Sequence, residues 1–564
     1  MSRSIRNLNA VLLAGATSLA LVSGAHARAS DRNYAQEASD AKIQKLEDEI
    51  QDLSTQVQDL KRSSSDQYTD VQNQASNAVK VSITNGRPTI SSADGDFTAS
   101  IRALAQLDWA YYSQTAAAKK LPAAYGPDLS SGTNFRRVYL GVQGKLFGDW
   151  SYNFNYDFGG SGGTETPGHI QSVYLEYDGL APWAVRVGAY PPPANIEDGT
   201  SAGDTIFLER NAPSDLQRNI AGGDGRDAVS LLYTGEDFFG AVSYTGNKIQ
   251  DGAKALAAAG ATAAPNFDEQ QAVLGRLSWL PVSSADAHLL VGVNGTYVIK
   301  PPDAVANGAA TLATTPGGTA RNSITLSDPP ELTVDSNGIL LATTGSLPAN
   351  HVSQWGGEVA GNWQNFYAQG GYYGFALDRA PVAFTEFTAS GTSHTKIVQP
   401  SNDAFSAWYV QASWVLTGES KGYNQSTGAF TPPKPAHPFS FDGSGWGALE
   451  LAGRFSDLNL NDHTLDPTNI VTAWSGANKT YDYYNTVRGG DQKVWTAALN
   501  WYANNGVRLA LDYQWIDVSR LQSGASPNAL TGITVGPTAG VPSIPHVSAN
   551  QTIQAIALRA QISL

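Results

Sequence analysis

Trp150-Ser151-Tyr152-Asn153-Phe154-Asn155-Tyr156-Asp157-Phe158 alternates between aromatic and polar residues without a break. A period of two puts the aromatics on one face of an extended strand and Ser151, Asn153, Asn155 and Asp157 on the other. The alternation returns upstream, where Ala99, Ile101, Ala103, Ala105, Leu107, Trp109 and Tyr111 oppose Ser100, Arg102, Gln106 and Asp108. It returns again in Val507, Leu509, Leu511, Tyr513 and Trp515, and at the end in Ile556, Leu558, Ala560, Ile562 and Leu564. Segments of about ten residues with this pattern mark strands that cross a membrane with one face in lipid and one in water. A soluble β-sandwich also alternates, but its inward face is apolar. Here the polar faces hold Gln, Asn, Arg, Asp and Glu too often for a dry core, because each buried charge must be paired at considerable cost.

Sixteen such segments can be read along the chain: 97–111, 134–147, 149–158, 170–178, 183–190, 226–234, 238–246, 270–280, 286–298, 351–362, 364–376, 404–416, 446–457, 491–502, 506–518 and 550–564. Their connections alternate between short and long, as in outer-membrane barrels with short periplasmic turns and longer external loops. The exception is 417–445, which is long on the short side. An even count leaves both chain ends in the periplasm. Trp109, Trp150, Trp183, Trp279, Trp414, Trp501 and Trp515 lie near strand ends and suit the aromatic girdles of a membrane interface. The fold class expected is all-β, a 16-stranded antiparallel transmembrane β-barrel over residues 81–564.

The N-terminal part reads differently. Arg3 and Arg6 precede an apolar run from Ala10 to Val22, and Ala25-His26-Ala27 follows as a cleavage pattern, so residues 1–29 read as a secretory signal peptide. Next, Ile43, Leu46, Ile50, Leu53, Val57 and Leu60 recur at alternating spacings of three and four, the a/d seam of a heptad repeat. Such a seam, narrower than the stripe of a helix packed on a domain, predicts a short parallel coiled coil between identical chains. Residues 30–80 are therefore expected to form a periplasmic α-helical coiled coil, with 63–80 as a polar linker.

Composition agrees and excludes much else. The chain has 564 residues, no cysteine and a formal net charge of −14. Zero cysteine removes disulfide scaffolds, thiolate metal sites and cysteine nucleophiles. The acidic balance argues against a nucleic-acid partner. The histidines outside the export segment (His169, His288, His351, His394, His437, His463 and His546) form no catalytic motif and no H-x-x-x-H pair. Asp457, Asn459, Asn461 and Asp462 lack the ligand spacing of a calcium loop. No enzyme activity, cofactor or metal is expected.

The block Phe135-Arg136-Arg137-Val138-Tyr139-Leu140-Gly141-Val142-Gln143-Gly144-Lys145-Leu146-Phe147-Gly148-Asp149-Trp150 resembles the signature of the phosphate-selective porin O and P family. Tyr174-Leu175-Glu176-Tyr177, Thr205-Ile206-Phe207-Leu208-Glu209-Arg210 and Leu449-Glu450-Leu451-Ala452-Gly453-Arg454 are similar to later parts of that family, in order. The resemblance covers roughly residues 90–564. It implies a homotrimeric barrel in the bacterial outer membrane, with the third long loop, 191–225, folded inward to constrict the pore. It also implies an arginine ladder down the lumen and lysines at the external mouth. Lysine is sparse in the long loops, with Lys119 and Lys120 the only adjacent pair, and the chain ends in Leu564 where such barrels usually end in an aromatic.

Strand parity places Arg102, Arg137, Lys145, Arg186, Arg226, Arg276, Arg454, Arg508 and Arg559 on the lumenal face, against Asp108, Asp157, Glu176, Asp178, Glu358, Glu450 and Asp512. Rings of arginine or lysine select anions by offsetting their lost hydration, and low-dielectric walls focus that field. With Arg210 and Arg218 on the inward loop, these are the candidate pore-lining and anion-binding residues. Two alternatives stand beside that reading. Each arginine can instead pair with a wall acid, and the acid-rich loop (Glu197, Asp198, Asp204, Glu209, Asp215 and Asp224) facing basic wall would give a general, non-selective porin. The expected function is a diffusion channel for small hydrophilic solutes, most of all anions such as phosphate. The other reading is a structural protein that tethers the membrane to the cell wall through its coiled coil.

Overall fold

The computed structural model describes residues 31–76, 78–84, 86–115, 128–160, 168–249, 269–303, 322–388, 391–475, 478–522, 530–535, 547–548 and 550–564. The export segment 1–29 lies outside the described residues, as does 304–321 of the long connection 299–350. The chain divides into two compact units, Met1–Ala78 and Val79–Leu564.

In the first unit a single helix, α1, runs from Asp31 to Ser76. It continues through 63–76, where the sequence suggested a linker. The stretch is polar but holds no glycine or proline, so nothing stops the helix, and Thr69 donates its hydroxyl to the Ser65 carbonyl within it. Ile43, Leu46, Ile50, Leu53, Val57 and Leu60 are each at least 50% exposed, so the apolar seam is bare on the isolated chain.

In the second unit sixteen long strands form a closed antiparallel barrel. They are β1 (Thr98–Gln114), β2 (Gly132–Leu146), β3 (Trp150–Asp157), β4 (His169–Leu180), β5 (Trp183–Tyr190), β6 (Arg226–Thr234), β7 (Phe238–Lys248) and β8 (Gln271–Ser283). The ring continues through β9 (Ala287–Lys300), β10 (Thr343–Trp363), β11 (Phe366–Arg379), β12 (Asp403–Val415), β13 (Ala448–Asp462), β14 (Val487–Tyr502), β15 (Val507–Ser519) and β16 (Gln551–Ser563). Each strand pairs with its neighbours, and β16 closes on β1 from Ile553 opposite Gln114 to Ser563 opposite Leu104. Closure leaves no unpaired edge facing lipid, the condition a membrane sheet must meet. Below the end of β16, the hairpin Lys80–Thr84 and Arg87–Ser91 continues the ladder, with Thr89 opposite Ser100 on β1.

The alternation read from sequence becomes an outward apolar face and an inward polar one. Two aromatic belts mark its limits. At the short-turn end Trp150 packs on Tyr177, Trp183 on Tyr233 and Phe366 on Trp414. Nearer the long connections, Trp355 packs on Tyr372, and Phe455 sits between Trp408 and Trp495. Several strands outrun their sequence-based limits: β10 starts at Thr343 and β14 at Val487, because the loop stalks continue the ladder. The connections at 377–403 and 458–490 also carry hairpins of their own, Val382–Phe387 with Ser393–Val398 and Ile470–Ser475 with Asn478–Tyr483.

Candidate functional site

The connection 191–225 between β5 and β6 folds into the lumen, and its sequence explains why. A short helix, α2 (Ile196–Gly199), is capped by Asn195, which accepts from the Asp198 amide. A longer one, α3 (Ala212–Ala221), is capped by Asn211 and ends at Gly222. Ala212, Leu216 and Ile220 recur every four residues and pack against Leu274, Val298, Tyr373 and Tyr409 of the wall. Asp215, Arg218 and Asn219 lie on the opposite face of α3 and line a cavity. The loop is thus amphipathic, with its apolar face on the β8–β13 side of the barrel.

The wall arginines hold that loop. Arg508 donates to the carbonyls of Thr205 (2.5 Å) and Ile206 (2.6 Å), and Arg454 to that of Glu209 (3.0 Å). Arg454 also pairs with Glu331 at 2.5 Å and sits over Phe207. Arg276 pairs with Glu358 at 2.6 Å, and Glu358 accepts the Ile196 amide at 2.9 Å. Arg226 donates to the carbonyls of Gly222 and Gly246. Arg559 forks onto Asp108 (2.7 and 2.6 Å) and reaches the Leu208 carbonyl and Glu209 (2.9 Å).

Glu209 is the centre of this network. Arg136 meets it at 2.7 and 3.1 Å and Arg137 at 3.3 Å, in addition to Arg559. Burial would raise its carboxyl, but Arg136, Arg137 and Arg559 hold it well below its ordinary range. Arg136 escaped the parity reading, which placed it outward. A register shift puts Arg137 opposite Gln106 and Phe135 opposite Leu107, leaving Arg136 as the extra, bulged residue, so both arginines face inward. On α3, Arg218 gathers Asp198 (2.8 Å), Asp215 (3.2 Å) and Asp224 (2.8 Å). Burial opposes the charge of both partners, yet the cluster holds the guanidinium charged and Asp224 far below the usual carboxylate range.

Two further segments enter the lumen. Residues 322–342 lie over the inward loop: Glu331 accepts the Ala212 amide (3.1 Å) and Thr333 reaches Glu209 (3.4 Å). The connection 417–445, unexpectedly long for its side, presents Thr427 and Gly428 carbonyls to Arg276 at 3.0 and 2.8 Å. Glu331 and Thr333 were not readable as lumenal, since 299–350 shows no periodicity to place them.

What remains open runs along the opposite wall. On the long-connection side of the loop lies a cavity of about 350 Å³, bordered by Arg136, Arg137, Glu209, Asp215, Lys248 and Asp328. On the short-turn side a larger one of about 920 Å³ is bordered by Arg87, Arg102, Asn153, Tyr174, Arg186 and Asp204. Arg210 and Asp224 border both, so they stand at the neck between them. Arg210 is fixed by the carbonyls of Glu197 and Thr200, both at 2.9 Å, and among the described residues no carboxylate lies within ion-pair distance of it. Asp224 is committed to Arg218.

The other candidates fall outside the neck. Arg102 borders the larger cavity and has no ion pair among the described residues. Arg186 also borders it, pairs with Glu176 at 2.6 Å and lies over Tyr174. Lys145 sits at the short-turn rim, half-exposed and 3.8 Å from Asp178. Away from the path, Asp403, Asp462 and His463 lie close together, with Asp403 taken by Arg379 at 2.7 Å.

A family model described as phosphate-selective porin O and P matches residues 118–535. Porin O of Pseudomonas aeruginosa is 23% identical over 444 residues, 76% of this chain and 85% of that protein. An uncharacterized protein of Caulobacter vibrioides is 25% identical over 71% of this chain and 65% of its own length. Among solved structures, an anion-selective porin from Comamonas acidovorans aligns over 83% of this chain and 99% of its own, with 10% identity and a TM-score of 0.38. The outer-membrane channel DcaP of Acinetobacter baumannii aligns over 84% of this chain and 99% of its own, also at 10% identity and a TM-score of 0.38.

Proposed function

The chain belongs to the phosphate-selective porin O and P family, and from that premise we propose that it is an outer-membrane diffusion channel for small anions, phosphate among them. The observation that carries the anion preference is Arg210. It stands where the two cavities meet, held by backbone carbonyls and with no carboxylate in ion-pair reach among the described residues. A fixed guanidinium at a narrow, low-dielectric neck favours anions over cations and suits phosphate oxygens geometrically. Arg102, which has no ion pair among the described residues, extends positive charge along the short-turn side. The remaining wall arginines act as anchors for the inward loop, so their role is to keep the neck narrow.

In the same reading, the short turns and both chain ends face the periplasm, the signal 1–29 is removed, and three copies assemble. The bare heptad seam on α1 supports self-association of identical chains, because a lone helix would not keep six apolar side chains in water. Flux into proteoliposomes tests the function directly. Radiolabelled phosphate is expected to enter faster than radiolabelled sodium. Equal rates would favour a general porin, and no entry of either would sink the channel.

A further inference from the structure

We propose that the cavity on the long-connection side of the neck binds small zwitterions, with an ammonium group at Asp328 and an anionic group at Arg210. This rests on the channel reading above and names a solute class that the channel takes. Asp328 is only 3% exposed, yet among the described residues no hydrogen bond or ion pair reaches its carboxylate, and it borders the cavity. A carboxylate so deeply placed is ordinarily paired. Arg218, the guanidinium that acts on Asp328 across the cavity, is already shared among Asp198, Asp215 and Asp224. Asp328 cannot easily withdraw, because Pro329 and Pro330 stiffen the chain after it and Glu331 is bound to Ala212, Ser456 and Arg454. Burial, with Asp215 and Glu331 nearby, pushes its carboxyl well above the ordinary range, a cost that a cationic guest would relieve.

The rest of the lining decides what kind of cation fits. Arg210 borders the same space without an ion pair among the described residues, and Arg136 and Arg137 share the single Glu209, so that side would repel a bare cation. A simple anion would satisfy Arg210 and leave Asp328 unanswered. A guest carrying both charges meets both ends. The volume, about 350 Å³, suits a small polar molecule.

The test uses the full-length protein in planar bilayers and reads interruptions of the chloride current. Glycine, γ-aminobutyrate and 6-aminohexanoate are each compared with the carboxylate of equal length: acetate, butyrate and hexanoate. For at least one length the zwitterion is expected to interrupt the current at about tenfold lower concentration, the worth of one charge-assisted hydrogen bond. Asp328→Asn removes that preference and Asp328→Glu retains it. No preference at any length in the wild-type channel, or a preference that survives Asp328→Asn, would overturn the proposal. Chloride current without the preference would leave the channel reading intact, whereas no current at all would defeat that reading itself.

Discussion

Glu209 shows how a single residue can decide the shape of a lumen. It lies on a loop, between an apolar turn and a helix cap, and three guanidiniums converge on it within 3.3 Å. Removing one partner from a buried ion network leaves uncompensated charge, at a cost of about 3–5 kcal/mol. Glu209→Gln is therefore expected to lower the thermal midpoint of the folded barrel and to shift permeability further toward anions. Because its folded pKa is depressed, the stability it contributes is full above the ordinary carboxylate value of 4.5 and is lost only as pH falls through the lowered one. Asp224 behaves in the same sense against its ordinary value of 3.8. The loss of thermal midpoint caused by Glu209→Gln is thus expected to be the same at about pH 7 and at about pH 5; a loss that disappears within that window would count against the loop anchor. At this scale the sequence was partly readable. Arg210 stood out on the loop, but Arg136 was hidden by a bulge that breaks parity, and Asp328 by a connection without periodicity.

Among the elements, the strands were the most legible, because a membrane barrel must alternate strictly between lipid and water along every strand. The helix end was the least, since a polar stretch such as 63–76 gives no stop signal unless glycine or proline appears. The inward course of 191–225 was expected from the family resemblance alone; its physical reason lies in the wall, whose apolar patch around Leu274, Tyr373 and Tyr409 takes α3. Two predictions belong here. A methyl group at Gly144 would lie 1.8 Å from the Thr98 carbonyl oxygen, which is backbone and cannot turn away. Gly144→Ala should therefore separate β1 from β2 and destabilise the barrel by at least about 1–3 kcal/mol, read as a lower yield of heat-modifiable folded protein. On α1, Ile50→Asn with Leu53→Asn is expected to weaken assembly of the full chain by about 1.5–3 kcal/mol for each buried side chain lost. Sedimentation in detergent would show this as a shift toward monomer, and an unchanged mass would remove the seam from assembly.

For the whole molecule, net charge is a poor guide to the pore. The chain carries −14 overall, yet much loop acid is consumed by arginine: Asp198, Asp215 and Asp224 on Arg218, and Glu209 on its cluster. What faces the neck without an ion pair is Arg210. A reversal potential in a tenfold potassium chloride gradient, measured on wild type and Arg210→Gln side by side, tests this most directly. Wild type is expected to reverse on the chloride side of zero and Arg210→Gln closer to zero. A wild-type channel reversing on the potassium side, or an Arg210→Gln channel indistinguishable from it, would contradict the account.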